Sequence, residues 1–439
     1  MAMESAGGLA PHHFMCPISL HPMQDPVTAP TGITYDRRAI HRWLAAGHAS
    51  CPVTGHPLSL ADLTPNHTLR RLIDSWSSSQ LPPGAQLTAA AMAATLPADV
   101  AGVVEKVMAA AAEGGGGRGP SCGLLREAAA VASESGAARR CMVQAAGVLR
   151  RVLRLAVSCA EKSCCSSSSG EARVSAMETF DACLALFHAL DVSADELRPL
   201  VADNHDLVDA VTRVLVALER GRRDEAADAT RASAVQLLEC VTEAADASLL
   251  ERLRPEFFAA VTAVVRDRVS PGAARAALRT LLHACASSGR NRALVVDAGA
   301  AHEAIELELD AWSPQAPGGR RATELVVALL AQLCACADGR SAVASHPAGI
   351  AVVAKRVLRV SAAADVCAVR VLAAVGGRAA SPEVLREMAR VGAVGKLCCV
   401  LQADCDASVK ETARAVLRMH SGVWSGSPCV SAYLLSRYL

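Results

Sequence analysis

The sequence has few aromatic residues, no strong charge of either sign and no long apolar run. Aromatic residues make up 3% of the 439 residues, and 44 Lys and Arg face 43 Asp and Glu, for a formal net charge of +1. A near-neutral chain offers no electrostatic reason to bind nucleic acid or an anionic membrane, so we expect neither partner. The longest apolar run, Leu325–Ala337, has 13 residues and includes Gln332. Because a bilayer needs roughly 20 apolar residues, no membrane span is expected.

The N-terminal segment also lacks the basic region and apolar core of a signal peptide, and Ala2 stands where N-myristoylation requires glycine. The 17 cysteines are odd in number and include no C-x-x-C pair of the kind found in structural zinc sites. Most lie in apolar helical patterns, where cysteine behaves as a small hydrophobe. Free thiols suit a reducing compartment. We therefore expect a cytoplasmic protein that needs no metal and no other cofactor.

Composition divides the chain into two regions. Ten of the 20 prolines precede Gly84, and the segment Ser77–Gln86 (SSSQLPPGAQ) has the composition of a linker. From Thr88 onward, Ala, Val, Leu and Arg follow helical periodicity, interrupted by short Gly, Pro, Ser or Asp segments. The sequence predicts a small α+β domain over residues 10–76, a linker over 77–86 and an all-α region over 87–439.

The helical region repeats a short pattern. A small Gly-containing turn precedes an apolar-striped helix near Gly299, Gly349 and Gly392, at spacings of 50 and 43 residues, and vaguer copies begin near Asn204 and Pro255. A period of roughly 40 to 47 residues is typical of armadillo and HEAT repeats. Because one repeat cannot bury its apolar stripe alone, stacked repeats share a continuous core. We predict an armadillo-type superhelical solenoid.

The N-terminal region carries dense local signals. Val27–Thr28 and Ile33–Tyr35 flank a turn with a central glycine, which predicts a β-hairpin. Asp36 is placed to cap the helix that follows, and Trp43 lies at the edge of the inward face of that helix. Two aliphatic residues four positions apart form that face: Ile40 and Leu44. A second short helix is predicted from about Asn66, with four apolar residues on one face: Leu69, Leu72, Ile73 and Trp76.

Six motifs in this region occur in the order and spacing of a known domain. They are Phe-x-Cys-Pro-Ile-Ser-Leu, Asp-Pro-Val, Gly-x-Thr-Tyr-Asp-Arg, Ile-x-x-Trp-Leu, Cys-Pro-Val-Thr and Pro-Asn-x-x-Leu-Arg-x-Leu-Ile. The region resembles the U-box, the zinc-free relative of the RING domain found in ubiquitin ligases. With the helical repeats behind it, the whole chain resembles the plant U-box ligases that carry an armadillo array.

The resemblance implies a docking surface for a ubiquitin-charged conjugating enzyme (E2). Carried over residue by residue, it places Ile18 and Leu20 in loop one, Trp43 on the first helix and Pro52 in loop two. Such a ligase has no nucleophile of its own and forms no covalent ubiquitin intermediate. It holds the charged E2 so that a substrate lysine attacks the thioester, and catalysis is by positioning.

The resemblance also implies how the domain dispenses with metal. Cys16 and Cys51 remain at RING ligand positions and are interpreted as packed thiols, while groups that hydrogen-bond fill the other positions. We expect Thr34, Asp36 and Thr54 to be buried and paired, because an unpaired buried polar group costs roughly 1–3 kcal/mol.

One departure concerns activation of the bound ubiquitin. Some U-boxes carry an Arg or an amide at a position where this sequence has Gly55-His56. Glycine has no side chain for this role, so two alternatives stay open: His56 is the activating residue, or activation is weaker.

Alternative interpretations stay open at this point. Ile18, Leu20 and Trp43 could be ordinary core residues, as most apolar side chains are. An inactive box could merely tether partners, which would make the chain a non-catalytic scaffold or adaptor. The basic pairs Arg139-Arg140 and Arg150-Arg151 suggest nuclear transport or nucleic-acid binding more weakly, since such arginines commonly form a solvated helix face. The intact docking residues favour a ligase with its substrate on the repeats, and the resemblance implies a role in stress or immune signalling.

Overall fold

The structure is a computed structural model, and it describes most of the chain. The described residues are 12–19, 23, 25–45, 48–66, 68–73, 96, 98–112, 121–145, 147–165, 169–204, 206–221, 224–286, 288–310, 319–426 and 430. Three predictions fall outside them: the docking residue Leu20, the helix residue Trp76 and the linker 77–86. None of the helices within these ranges is both long enough and apolar enough to cross a membrane.

The chain forms two compact units. The first comprises Met1–Ala109 and Ala130–Ala146, and the second comprises Ala110–Ala129 and Gly147–Leu439. Residues 130–146, which composition assigned to the helical region, therefore group with the N-terminal unit.

The N-terminal unit contains a small antiparallel sheet. Its strands are β1 (Pro26–Thr28), β2 (Thr34–Asp36) and β3 (Thr64–Pro65), and β1 pairs with both of the others. Gly32 sits in the β1–β2 turn with φ of +82°, a left-handed conformation that glycine adopts without strain. The predicted hairpin is confirmed.

Two helices follow the sheet strands as the sequence predicts. Helix α1 (Arg37–Ala45) begins after Asp36, whose Oδ1 accepts a hydrogen bond from the Arg38 amide at 3.1 Å. Ile40 is buried, whereas Leu44 and Trp43 are both half-buried against the core. Trp43 therefore belongs partly to the core instead of lying only at its edge.

The second helix, α2 (68–73), differs from its prediction in one respect. The Asn66 Oδ1 accepts a hydrogen bond from the Leu69 amide at 2.9 Å, so Asn66 caps the helix. Ile73 is buried and Leu69 half-buried, but Leu72 is 54% exposed. The prediction for Leu72 is wrong, because the short helix packs only a narrow face against the small sheet domain.

The remaining described helices run from the end of the first unit through the repeats. They are α3 (Ala98–Ala112), α4 (Cys122–Glu134), α5 (Gly136–Gln144), α6 (Val148–Cys164), α7 (Gly170–Leu190), α8 (Ala194–Asp203), α9 (Asp206–Arg220), α10 (Glu225–Ala244), α11 (Ala247–Glu251), α12 (Pro255–Arg266), α13 (Pro271–Cys285), α14 (Gly289–Asp297), α15 (Ala300–Asp310), α16 (Gly319–Leu333), α17 (Ala337–Ser345), α18 (Gly349–Arg356), α19 (Ala362–Val375), α20 (Pro382–Arg390), α21 (Ala393–Gln402), α22 (Ala407–Met419) and α23 (Ser421–Trp424).

The predicted repeat pattern is confirmed. Helices α9, α12, α15, α18 and α21 begin within two residues of the five predicted starts. Gly299 and Gly392 have φ near +80°, as a tight turn before a helix requires. Gly349 serves a different purpose, because a Cβ there would collide with the backbone carbonyl of Val343.

The long helices stack in series. Helices α7, α10, α13, α16, α19 and α22 each pack against the next, and we call them the third helices. Helices α12, α15 and α18 pack behind α13, α16 and α19 respectively. Because α13, α16 and α19 each have partners behind them and on both sides, their remaining faces are open to solvent. Stacking buries a core of mostly small aliphatic side chains, consistent with the low aromatic content.

Candidate functional site

A shallow hollow lies between loop one and helix α1 of the N-terminal unit. It encloses about 400 Å³. Its lining residues are Ile18, Ser19, Ala39, Arg42, Trp43 and His48. Loop one is closed by a hydrogen bond from the Met23 amide to the Phe14 carbonyl at 2.8 Å. The structure thus brings together two of the predicted docking residues, one from the loop and one from the helix.

Trp43 is held in a defined orientation. Its Nε1 donates a hydrogen bond to the Ser50 carbonyl at 2.8 Å, and its ring stacks on His48 with centroids 4.0 Å apart. The indole is therefore fixed on one edge by the backbone and covered on one face by an exposed histidine. A side chain fixed in this way loses little further conformational entropy when a partner binds.

Loop two folds back on itself after Cys51. The Cys51 amide donates to the His56 carbonyl at 2.7 Å, and the Gly55 amide donates to the Cys51 carbonyl at 2.9 Å. Gly55 has φ of +71°, which explains a glycine at this turn. The loop presents Pro52, half-buried, and Val53, whose exposed fraction is 55%.

The Cys51 sulfur is the centre around which loop two is built. The residue is 2% exposed, and the Tyr35 hydroxyl lies 2.9 Å from its Sγ. Burial alone would raise the pKa of the thiol. Hydrogen bonds from the Thr54 and Tyr35 side chains and from the Thr54 and Val53 backbone outweigh burial and lower the pKa of Cys51 to about 6. Burial and the adjacent sulfur raise the pKa of Tyr35 well above its usual value.

Two further hydrogen bonds join loop one to the sheet and strand β1 to strand β2. The Asp36 amide donates to the Cys16 Sγ at 3.2 Å. The hydroxyls of Thr28 and Thr34 are 2.9 Å apart. The prediction that the Thr34 and Asp36 side chains each have a hydrogen-bond partner is confirmed: Thr34 pairs with Thr28, and Asp36 accepts from the Arg38 amide. Both residues are only half-buried. The Thr54 side chain is paired with the Cys51 sulfur as predicted, but the prediction that Thr54 is buried is wrong, because this residue is exposed.

The predicted site residues therefore divide into two places. Ile18 and Trp43 share the hollow, while Pro52 and His56 lie on loop two. His56 is exposed, with its Nδ1 3.2 Å from the Thr54 carbonyl. Sequence reasoning missed Val53, the most exposed large apolar residue of the described N-terminal unit. Its position directly after Pro52 was the signal that could have identified it.

Comparison with known proteins assigns a family to the N-terminal region and to the helical region. A family model described as "U-box domain" matches residues 10–81, and one described as "Plant U-box protein ARM repeat region" matches residues 99–439. The chain belongs to the plant U-box family of E3 ubiquitin ligases with armadillo repeats. The resemblance inferred from the sequence and the expected fold class are both confirmed.

Curated relatives agree over nearly the full length. The chain is 36% identical to the "E3 ubiquitin-protein ligase PUB23" of Arabidopsis thaliana over 431 residues, covering 98% of this chain and 97% of the relative. It is 35% identical to the "E3 ubiquitin-protein ligase PUB22" of the same plant, covering 98% of each. Among solved structures, a computationally designed armadillo repeat protein aligns at a TM-score of 0.42 and 15% identity, covering 62% of this chain and 99% of the designed one. The U-box of this ligase family is a RING-type ubiquitin transferase module.

Proposed function

We propose that the U-box docks a ubiquitin-charged E2 and that the armadillo repeats hold the protein substrate whose lysine receives ubiquitin. One observation carries the proposal: Ile18 and Trp43 line a single open hollow, and Trp43 donates to the Ser50 carbonyl at the start of the loop that presents Pro52 and Val53. A few apolar anchors of this kind supply most of the energy of a weak, reversible contact. Leu20 completes the proposed docking set. All of these residues lie within the U-box, residues 10–76.

Transfer proceeds directly from the E2 to the lysine. The two thiols of the described U-box, Cys16 and Cys51, are 0% and 2% exposed and engaged in hydrogen bonds. A cysteine that cannot be reached cannot accept ubiquitin, however low its pKa. The U-box then contributes orientation of the thioester relative to the lysine, which makes an intermolecular step effectively unimolecular. No metal and no cofactor enter this scheme.

His56 is the proposed contact to the bound ubiquitin. Its exposed ring lies on the same loop as Pro52, and its Nδ1 donates to the Thr54 carbonyl, which leaves Nε2 for a hydrogen bond to the E2 or to its ubiquitin. This position restrains the flexible thioester conjugate, and restraint of the attacked bond favours reaction.

We propose that the substrate binds the exposed faces of the third helices. These helices belong to a repeat domain of residues 87–439, which the linker 77–86 joins to the U-box. Nucleic acid is not the proposed partner. Arg150, the first residue of the basic pair Arg150-Arg151, donates to the Asp203 carboxylate at 2.9 Å, so its charge is already paired. A near-neutral helical surface suits proteins better than polyanions. The proposed setting is the cytoplasm, in stress or immune signalling.

An autoubiquitination assay tests the proposal. The purified full chain, incubated with activating enzyme, E2, ubiquitin and ATP, is expected to build ubiquitin chains and to discharge charged E2 to free lysine. The alternative function, a non-catalytic scaffold with an inactive U-box, predicts that E2 discharge stays at the rate without the protein while the repeats still bind partners.

A further inference from the structure

Two third helices, α13 and α19, carry arginines at equivalent positions on their exposed faces. Arg279 lies nine residues after Ser270, which caps α13, and Arg370 lies nine residues after Ser361, which caps α19. Helix α16 packs between α13 and α19 and presents the partly exposed Ala328. The two arginines therefore stand on one surface, one helix apart, with a small residue between them.

Both guanidinium groups retain free donors. Arg279 uses Nη1 for an ion pair with Glu239 of α10 at 2.7 Å, which orients the side chain and leaves the other N–H groups available. Arg370 is exposed and makes no hydrogen bond or ion pair within the described residues. Arginine binds carboxylates with two parallel hydrogen bonds, so each side chain is a suitable receptor for an acidic residue.

Helix geometry sets the spacing of the ligand groups. Packed helices lie about 8–10 Å apart, so two steps along the stack cover roughly 16–20 Å. An extended chain advances about 3.3 Å per residue. Two acidic side chains that reach Arg279 and Arg370 together are therefore about five or six residues apart in an extended segment that crosses the third helices.

Helix α16, in the middle of this surface, disfavours a third acidic residue in the bound segment. Glu324 lies one turn before Ala328 on α16, and Leu325 is partly exposed beside it. An acidic residue midway between the two anchors would face Glu324, whereas a small or apolar one would pack on Ala328 and Leu325. A nucleic acid places a phosphate at every nucleotide and so would put negative charge against Glu324, which favours a peptide.

We propose that α13, α16 and α19 bind an extended substrate segment with two acidic residues five or six positions apart and uncharged residues between them. The inference deepens the proposed function, on which it rests, by giving the chemistry of the segment that the repeats recognise.

Fluorescence anisotropy on the full chain tests the inference. The probes are fluorescein-labelled Gly/Ser peptides with two Asp residues separated by two, five or nine positions, and the same peptides with Asn. Binding is expected to be tightest at a separation of five. Arg279→Gln and Arg370→Gln are each expected to weaken it about tenfold, the loss of one charge-assisted contact. Arg386→Gln on α20, an exposed arginine paired with Glu383 at 2.9 Å, is the matched control and is expected to change nothing.

Several results would overturn the inference: equal binding of the Asn peptides, equal loss with the Arg386 control, tighter binding of a single-stranded oligonucleotide, or no saturable binding up to about 1 mM peptide. Free-lysine discharge is measured on the same preparations. Because none of these arginines lies in the U-box, discharge is expected to be unchanged in every variant. Discharge that is absent from the parent chain would refute the proposed ligase function, while the peptide series decides the recognition chemistry separately.

Discussion

A carboxylate introduced at Val53 tests E2 docking without disturbing the U-box core. Val53 is 55% exposed, and substitutions at such surface positions usually change the free energy of unfolding by no more than about 0.5 kcal/mol. Full burial of a valine side chain contributes roughly 1.5–3 kcal/mol, so burying the exposed half against an E2 contributes about 1 kcal/mol. Val53→Asp loses that term, and forcing the carboxylate against an apolar partner costs at least about 1 kcal/mol more. We expect E2 binding to weaken by about 2 kcal/mol, or roughly thirtyfold.

The assay is discharge of charged E2 to free lysine over a range of E2 concentrations. Val53→Asp is expected to raise KM about thirtyfold with little change in the maximal rate, because the missing contact affects docking alone. Leu72→Asp is the matched control, since Leu72 is 54% exposed on the same unit and lies outside the hollow and loop two. Equal KM values for the parent and Val53→Asp, or equal losses in both variants, would refute the assignment of loop two.

Three other predictions concern the U-box. Trp43→Ala is expected to destabilise the domain by about 2–3 kcal/mol, since it removes half-buried packing and the hydrogen bond to Ser50. The same substitution is expected to abolish ligation. An unchanged denaturation midpoint would contradict the packing of Trp43 against the core. Hydrogen bonds hold the pKa of Cys51 at about 6, below the ordinary thiol value near 8.5, so the unfolded chain binds more protons between these pH values. The free energy of unfolding should therefore rise from pH 6 to about pH 8.5, and Cys51→Ser should flatten this rise in urea titrations; an equal rise in the variant would show that another group titrates. The fragment Met1–Gly84 is expected to discharge E2 to free lysine but to lose substrate choice, and a rate near zero would show that the U-box depends on the repeats.

Local signals account for the parts of the fold that the sequence predicted. The β1–β2 hairpin follows from β-branched residues around a glycine turn, and the start of α1 follows from Asp36 as its cap. Helices after Gly299 and Gly392 follow from a turn glycine and an apolar stripe. In each case, residues within one turn or one strand pair determine the element.

Packing between distant segments accounts for what the sequence did not predict. An apolar stripe cannot show how much of a short helix is covered, and so it grouped Leu72 with the buried Ile73 on one apolar face although Leu72 is exposed. The same limit applies to Trp43, whose burial depends on Ser50 and His48 in the loop after α1. Residues 130–146 group with the N-terminal unit through tertiary contacts that composition does not record.

The candidate site shows the same division. The motif resemblance predicts Ile18, Trp43 and Pro52 as site residues, whereas the sequence places Val53 next to Pro52 without showing that its side chain is exposed. The closure of loop two around the Cys51 sulfur depends on the Tyr35 hydroxyl, which comes from a strand 16 residues earlier in the chain. The Cys51 sulfur accepts several hydrogen bonds, and no spacing rule predicts those contacts from the sequence.

The helices of the repeat region share a core of Ala, Val and Leu. Such a uniform core does little to distinguish one packing register between neighbouring helices from the next. Buried charges supply that distinction. Arg231 of α10 reaches Asp267 at 2.6 Å with both side chains almost fully buried. Arg356 of α18 reaches Glu308 of α15 at 2.6 Å, and Thr323 donates to the same carboxylate at 3.1 Å. Removing one partner of a buried pair costs about 3–5 kcal/mol, because the other charge is left uncompensated. A helix shifted by one turn at either interface would separate the buried pair there, so each pair penalises a misregistered repeat more than the uniform aliphatic core does.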